Sequence, residues 1–132
     1  MSLTLSPRLS LPLDVAGEAI AILAKRGAGK TNTATVLVEE LVGAGVQVVI
    51  VDPVGAWWGI RSSADGTGDG LPVPILGGQH GDVPLEPTAG ALIADVVVDT
   101  GSSMLLDLSD FPSKAATARF VVDFGEHLYR RK

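Results

Sequence analysis

The stretch AIAILAKRGAGKT, residues 19–31, decides the fold class of this chain. Its first six residues are apolar, have the length of a β-strand, and lead into a glycine-rich turn that ends in Lys30 and Thr31. The residues after Thr31 carry apolar side chains at helical spacing. A strand, a glycine-rich turn with Lys-Thr, and a helix in this order are typical of a phosphate-binding P-loop.

The glycine-rich turn supplies groups that bind phosphate. Glycine lets the backbone bend so that successive N–H groups point at phosphate oxygens, and the positive end of the next helix adds to the attraction. We expect Lys30 to reach the terminal phosphates and Thr31 to ligate Mg²⁺. The residues predicted to bind the cofactor are Lys25, Arg26, Gly27, Ala28, Gly29, Lys30, Thr31 and Asn32.

One position departs from the P-loop pattern. The pattern begins with Gly, and this chain has Ala24 there. The first glycine mainly eases the exit from the strand, so alanine is tolerated if its φ stays negative. The alternative interpretation is an ordinary tight turn between a strand and a helix that happens to contain Lys-Thr.

Composition limits the classes of protein to which the chain can belong. Its 132 residues suit one domain. Hydrophobic residues make up 46% of the chain and charged residues 19%, so we expect part of the apolar surface to be covered by a missing segment or by a neighbouring subunit. The absence of cysteine excludes disulfides and thiolate metal sites. Because no apolar run approaches the ~18 residues of a membrane span and residues 1–13 lack a signal-peptide pattern, we expect a cytoplasmic protein with no membrane partner.

The charge of the chain bears on nucleic-acid binding. The formal net charge is −5, and Arg61 is the only basic residue between Lys30 and Lys114. A domain that binds nucleic acid by itself usually has a basic stripe. We therefore expect any contact with double-stranded DNA to require an assembly.

The remaining pattern predicts two segments. Residues 1–18 alternate apolar and polar side chains, and Pro7 and Pro12 limit them to an edge strand or an extended lead-in. Residues 19–132 are predicted to form a partial P-loop domain. After the first strand, a helix over residues 31–42 and a second buried strand over residues 47–52 complete a strand–helix–strand unit.

Two aspartates follow predicted strands. Asp52 ends the second strand, where it could hold a magnesium-bound water or the attacking water. In that role Asp52 and Lys30 are the two predicted catalytic residues. Alternatively, Asp52 caps the next turn. Asp107 ends an apolar run, residues 104–106, and is a candidate second ligand of Mg²⁺, although Leu108 stands where a glutamate would polarise water.

Further elements are predicted along the C-terminal half. They are an edge strand over residues 73–77, a helix capped by Thr88 and ended by Gly101, and a helix over residues 113–132 whose start is marked by Pro112 or Ser113. Trp57 and Trp58 are predicted to pack in the core; the alternative is that one packs inside while the other covers an adenine, a subunit edge or a neighbouring loop. The residues predicted to be buried by the two helices are Ala91, Leu92, Ala94, Val96, Val98, Thr117, Phe120, Val121, Phe124 and Leu128.

Several motifs together resemble one family. They are KRGAGKTNTA at residues 25–34, VDPVGAWWGIRSS at 51–63, GGQHGDVPL at 77–85, DLSDF at 107–111 and FVVDFGEHLYRRK at 120–132. With them, residues 9–132 resemble the helicase HerA central domain family. The resemblance implies an FtsK/HerA-like motor ATPase with a RecA-like core: a three-layer α/β fold with a parallel sheet and helices on both faces.

The resemblance also implies cofactors, partners and a site. Gly27, Gly29, Lys30 and Thr31 would bind ATP and Mg²⁺, with Asp52 beside the γ-phosphate. Family members usually form ring hexamers that act on double-stranded DNA. In them a strand ending in Asp-Glu follows the helix that finishes here at Lys132, so we expect an incomplete core with weak or absent hydrolysis.

The predicted function is therefore ATP binding by the N-terminal part of a HerA/FtsK-like translocase or helicase ATPase. One alternative is a non-catalytic assembly or regulatory subunit that self-associates or pairs with a complete ATPase subunit. The other is a dinucleotide-binding turn that uses Gly27, Gly29 and Asn32, with Asp52 on the ribose.

Overall fold

The computed structural model describes residues 2–17, 30–61, 70–71 and 73–131. It contains two compact units, Met1–Val48 and Val49–Lys132. The first core strand, predicted over residues 19–24, and the glycine-rich turn over residues 25–29 lie outside the described residues. The predicted domain boundary between residues 18 and 19 stays a prediction.

The first unit begins with a β-hairpin. Strands β1 (Ser2–Ser6) and β2 (Leu9–Pro12) pair antiparallel, and a 3₁₀ turn over Leu13–Gly17 follows. The chain reverses at residues 7–8, where Pro7 has a φ that suits a turn. The predicted alternation is confirmed, but a hairpin replaces the single edge strand or extended lead-in.

Helix α1 (Lys30–Gly43) confirms the helix predicted after the glycine-rich turn. Its C-terminal carbonyls are satisfied by the turn that follows. The Gly45 N–H donates to the Val42 carbonyl at 3.0 Å, and the Val46 N–H donates to the Leu41 carbonyl at 3.0 Å. This arrangement requires the positive φ of 82° at Gly45, which explains why glycine ends the helix here.

The second unit is built on a three-stranded parallel sheet. Its strands are β3 (Val49–Asp52), β4 (Ile75–Leu76) and β5 (Met104–Asp107), in the order β3-β5-β4. The central strand β5 is buried along its whole length, and β4 lies at the edge as predicted. The α/β class with a parallel sheet is thus confirmed, while the three-layer, RecA-like architecture stays a prediction.

Helices α2 (Gly90–Thr100) and α3 (Lys114–Arg131) form the core of this unit together with β5. The two helices approach each other closely at Gly90, which has no side chain. A Cβ added there would lie 2.7 Å from the Phe120 carbonyl oxygen and 2.8 Å from the Phe124 nitrogen. The buried core cluster comprises Ile93, Ala94, Val97, Met104, Leu106, Leu108, Phe120 and Phe124.

The helices differ from the predictions in detail. The side chain of Ser113 caps α3 as predicted, its Oγ accepting from the Ala116 N–H at 3.0 Å. The predicted cap Thr88 is wrong, because α2 follows Ala89 with no side-chain cap. Leu92, Val96 and Val121 were predicted to be buried and are exposed. In the described part of the chain no helix is long and apolar enough to cross a membrane.

Candidate functional site

The loops after the three parallel strands converge at one edge of the sheet. Asp52 ends β3 and Asp107 ends β5, and the two residues are in register. Their side chains are among the few buried charged groups, at 3% and 2% exposure. Since ligands of parallel sheets bind beyond the carboxyl ends of the strands, this edge is the candidate site of the second unit.

The Asp52 carboxylate is occupied by the turn that follows it. Its Oδ1 accepts from the Val54 N–H at 3.1 Å and from the Gly55 N–H at 3.0 Å, and its Oδ2 accepts from the Trp57 N–H at 2.9 Å. The positive φ of 84° at Gly55 allows the chain to fold back onto the carboxylate. The alternative in which Asp52 caps its turn is therefore observed, and its catalytic role stays a prediction.

The Asp107 carboxylate is surrounded by two loops. Its Oδ1 accepts from the Ser109 N–H at 2.9 Å and from the Ser109 Oγ–H at 2.6 Å. On the other side, a Cβ at Gly78 would overlap the carboxylate, so bare backbone packs against it. Gly55 also packs against Ser109 beside this carboxylate: a Cβ added at Gly55 would lie 2.7 Å from Ser109 Oγ.

Residues 77–82, which we call the 77–82 loop, are held at both ends by hydrogen bonds. The Gly77 N–H donates to the Val83 carbonyl at 2.9 Å, and the Asp82 N–H donates to the Ile75 carbonyl at 2.7 Å. Arg61 NH1 donates to both Asp82 carboxylate oxygens, at 2.8 and 2.7 Å. The hydrogen bond from Arg61, followed by one from the Ile75 N–H, lowers the pKa of Asp82 below its usual value.

The tip of the 77–82 loop contacts an exposed tryptophan. The rings of Trp58 and His80 are stacked, with centroids 3.8 Å apart and planes 13° apart. Trp58 is 45% exposed, so the prediction that both tryptophans pack in the core is wrong for Trp58. Trp58, Arg61 and His80, with Gly59 and Ile75, line a cavity of about 380 Å³.

The predicted P-loop residues belong to the other unit. Helix α1 begins at Lys30, the residue that follows the sequence KRGAG, so the backbone of Lys30, Thr31 and Asn32 forms its first turn. The predicted cofactor-binding residues Lys25, Arg26, Gly27, Ala28 and Gly29 lie outside the described residues. The structure thus brings Asp52 and Asp107 together and places Lys30, Thr31 and Asn32 at a helix N-terminus.

The two strand-end carboxylates do not form a ready magnesium centre. Among the residues that the structure describes, no group of three or more His, Cys, Asp or Glu side chains could hold a metal ion. Carboxylate oxygens are suitable ligands for Mg²⁺, but those of Asp52 accept hydrogen bonds from their own turn, and Asp107 is enclosed by Ser109 and Gly78. Metal binding at Asp107 would require the loops around it to move.

Sequence reasoning missed three groups at this edge. Ser109 follows Asp107 by two residues, a spacing at which Asp and Ser side chains bond to the local backbone, so its role could have been found. The contact of Gly78 with Asp107 and the pairing of Arg61 with Asp82 join residues far apart in the chain, and the sequence contains no signal for them.

Comparison with known proteins found one family. The family model described as helicase HerA, central domain, matches residues 3–70 of the 132. The match includes the glycine-rich turn, α1 and Asp52, and it ends before β4, the 77–82 loop and Asp107. Neither a curated protein nor a solved structure matches the chain significantly.

Proposed function

Because the chain belongs to the helicase HerA central domain family, we propose that it binds ATP with Mg²⁺ through residues 25–32. The backbone amides of Lys25 to Gly29 would surround the phosphates, and Lys30 would neutralise the charge of the β- and γ-phosphates. The Thr31 hydroxyl would ligate Mg²⁺, which neutralises the remaining charge.

The observation that carries the proposal is the start of α1. A helix of 14 residues begins at Lys30, directly after the sequence KRGAG. Its first N–H groups have no partners within the helix and carry partial positive charge, so they attract phosphate. An ordinary turn with a coincidental Lys-Thr pair would not require a long helix to begin at this lysine.

The proposal extends to the class of protein. We place the chain in the N-terminal part of a HerA/FtsK-like ATPase core that contacts double-stranded DNA only within an assembly. Hydrolysis requires a carboxylate that orients water. Since both Asp52 oxygens accept hydrogen bonds from their own turn, we expect ATP binding with weak or absent turnover by this chain alone.

Titration calorimetry with Mg²⁺-ATP tests the nucleotide site. We expect Lys30→Ala to weaken binding at least about 30-fold, because a charge-assisted contact with phosphate is lost. Lys114→Ala is the matched control, since Lys114 is also the first residue of an α-helix and follows a Ser cap instead of a glycine-rich turn. Unchanged affinity in a folded Lys30→Ala variant would remove the P-loop assignment.

A second candidate function is that of a non-catalytic assembly subunit. Large apolar side chains on α2 and α3 are exposed, among them Leu92 at 63%, Val122 at 52% and Tyr129 at 75%. Such side chains favour burial against a second copy or a complete ATPase subunit. Light scattering after size-exclusion chromatography, with and without ATP, tests self-association; a monomer under both conditions would count against a second copy as the partner.

The dinucleotide alternative is less compatible with the site. A dinucleotide-binding turn would need the Asp52 carboxylate for the ribose hydroxyls. That carboxylate already accepts three backbone hydrogen bonds from residues 54–57. Calorimetric competition between NADH and ATP separates the two nucleotides, and we expect ATP alone to bind.

A further inference from the structure

A loop contributes to the burial of the Asp107 carboxylate, together with Ser109. Gly78 packs its backbone against the carboxylate, and its positive φ of 70° keeps that backbone in place. Asp107 is 2% exposed although it lies at the end of its strand. The 77–82 loop therefore contributes the shielding on the side opposite Ser109.

Besides the hydrogen bonds at its two ends, two side-chain contacts hold the 77–82 loop from the outside, and both come from one short element. Trp58 and Arg61 are the first and last residues of the 3₁₀ turn Trp58–Arg61. Trp58 stacks on His80 at the loop tip, and Arg61 pairs with Asp82 at the loop base. The rest of the loop is glycine-rich, with Gly at positions 77, 78 and 81.

The hydrogen bonds at residues 77 and 82, with the bond from the Ile75 N–H to Asp82 Oδ2, hold the base of the loop. The two side-chain contacts that hold it from the outside are exposed and therefore weak. The side chains of Arg61 and Asp82 are 39% and 43% exposed, and exposed ion pairs contribute little because water and salt screen them. Trp58 is also half-exposed. Segments held by few buried contacts open locally at low free-energy cost, without unfolding of the core.

We infer that the 77–82 loop is a movable cover over Asp107, held shut by the Trp58–His80 stack and the Arg61–Asp82 pair. A cation or a partner group reaches the Asp107 carboxylate only when the loop lifts. The role of Asp107 as second Mg²⁺ ligand, predicted from the sequence, rests on the proposed binding of ATP with Mg²⁺. The cover is a property of the fold and needs no nucleotide.

Carbodiimide modification of carboxylates, read by mass spectrometry, measures access to Asp107 in the intact chain. Without nucleotide, we expect exposed Glu126 to react quickly and buried Asp52 and Asp107 to react slowly. Trp58→Ala should raise the Asp107 rate about three- to tenfold, and Arg61→Gln should raise it by a smaller factor. The rates at Asp52 and Glu126 should not change, since the Asp52 carboxylate is held by backbone N–H groups of residues 54–57 and not by the Trp58 or Arg61 side chains.

The control is Arg119→Gln, which breaks another exposed arginine–aspartate pair, with Asp123 on α3. It should leave the Asp107 rate unchanged. The inference is overturned if neither Trp58→Ala nor Arg61→Gln changes that rate, or if Asp52 and Asp107 become reactive together, which would mean that the whole edge opens. Because the labelling contains no ATP, a failure of ATP binding would not alter its outcome.

Discussion

Asp52 and Asp107 end neighbouring strands in register and are buried to the same extent, yet they are held in different ways. Among the described residues, the Asp52 carboxylate accepts hydrogen bonds from the turn that follows it in the chain, at residues 54, 55 and 57. Asp107 bonds to Ser109 and also packs against Gly78, which belongs to a different loop. One carboxylate is thus organised locally and the other by tertiary contact.

The two environments leave the carboxylates with different freedom to bind a further group. Three backbone hydrogen bonds fix Asp52 as part of its turn, and freeing it would unfold residues 53–57. Asp107 is enclosed on one side by a loop whose outer contacts are exposed, so its surroundings can change while the sheet stays intact. Of the two carboxylates, Asp107 is therefore the better candidate to bind a cation or a partner group after the 77–82 loop has moved.

The largest expected effect comes from removing the locally held carboxylate. Asp52→Ala leaves three backbone N–H groups without their acceptor, and we expect the free energy of unfolding to fall by about 3 kcal/mol. Urea unfolding measures it. Asp52→Asn keeps one oxygen acceptor and should lose about half as much. An Asp52→Asn variant as stable as the parent would contradict the assignment of hydrogen bonds to both oxygens.

A smaller effect is expected at the tertiary contact. Gly78→Ala combines a positive φ of 70° with a Cβ that overlaps the Asp107 carboxylate, and should cost about 2 kcal/mol. Gly101→Ala is the matched control, because Gly101 has a φ of 64° with nothing within 4 Å of the added Cβ, and it should cost about 1 kcal/mol.

A double-mutant cycle isolates that contact. In an Asp107→Ala background the overlap at residue 78 disappears, so Gly78→Ala should then cost no more than Gly101→Ala does. If the cost of Gly78→Ala is the same with and without the Asp107 side chain, backbone strain alone explains it, and the contact between the two loops is not the cause.

The smallest effect is expected at an exposed carboxylate, Asp95, which contrasts with both buried ones. His127 Nε2 lies 2.8 Å from Asp95 Oδ1 and Arg131 NH1 lies 2.6 Å from it. The hydrogen bond with His127, followed by that with Arg131, lowers the pKa of Asp95 below its usual 3.8. A folded-state pKa below the unfolded value stabilises the fold above pH 3.8, and that stabilisation is lost as the pH falls through the lowered pKa.

Unfolding measured across acidic pH tests this contact between α2 and α3. Arg131→Gln should make the unfolding free energy depend less on pH between about 5 and 2, because one cause of the pKa shift is removed. Arg130→Gln, on the same helix, is the control and should keep the original dependence. An unchanged profile in Arg131→Gln would mean that Arg131 does not act on the pKa of Asp95.

Several elements were predictable because their signals are local. Helix α1 follows a glycine-rich sequence and ends at glycines, β4 follows Pro74 and lies at an edge, and Ser113 caps α3. The face of α2 was not predictable, because residues 91–98 include a single polar residue, Asp95, so hydrophobic periodicity cannot select between Leu92 and Ile93. Packing against α3 and β5 buries Ile93 instead.

Helix α1 and the strands that end in Asp52 and Asp107 followed from the sequence alone, because each depends on residues that are neighbours along the chain. For Asp52 the sequence left a catalytic role and a turn cap open, and the structure shows the cap. Only the tertiary structure decided which face of α2 is buried, that Trp58 is exposed on His80, and that Gly78 encloses Asp107. These contacts join residues far apart in the chain, and their energies depend on how strands and loops pack, which no local pattern specifies.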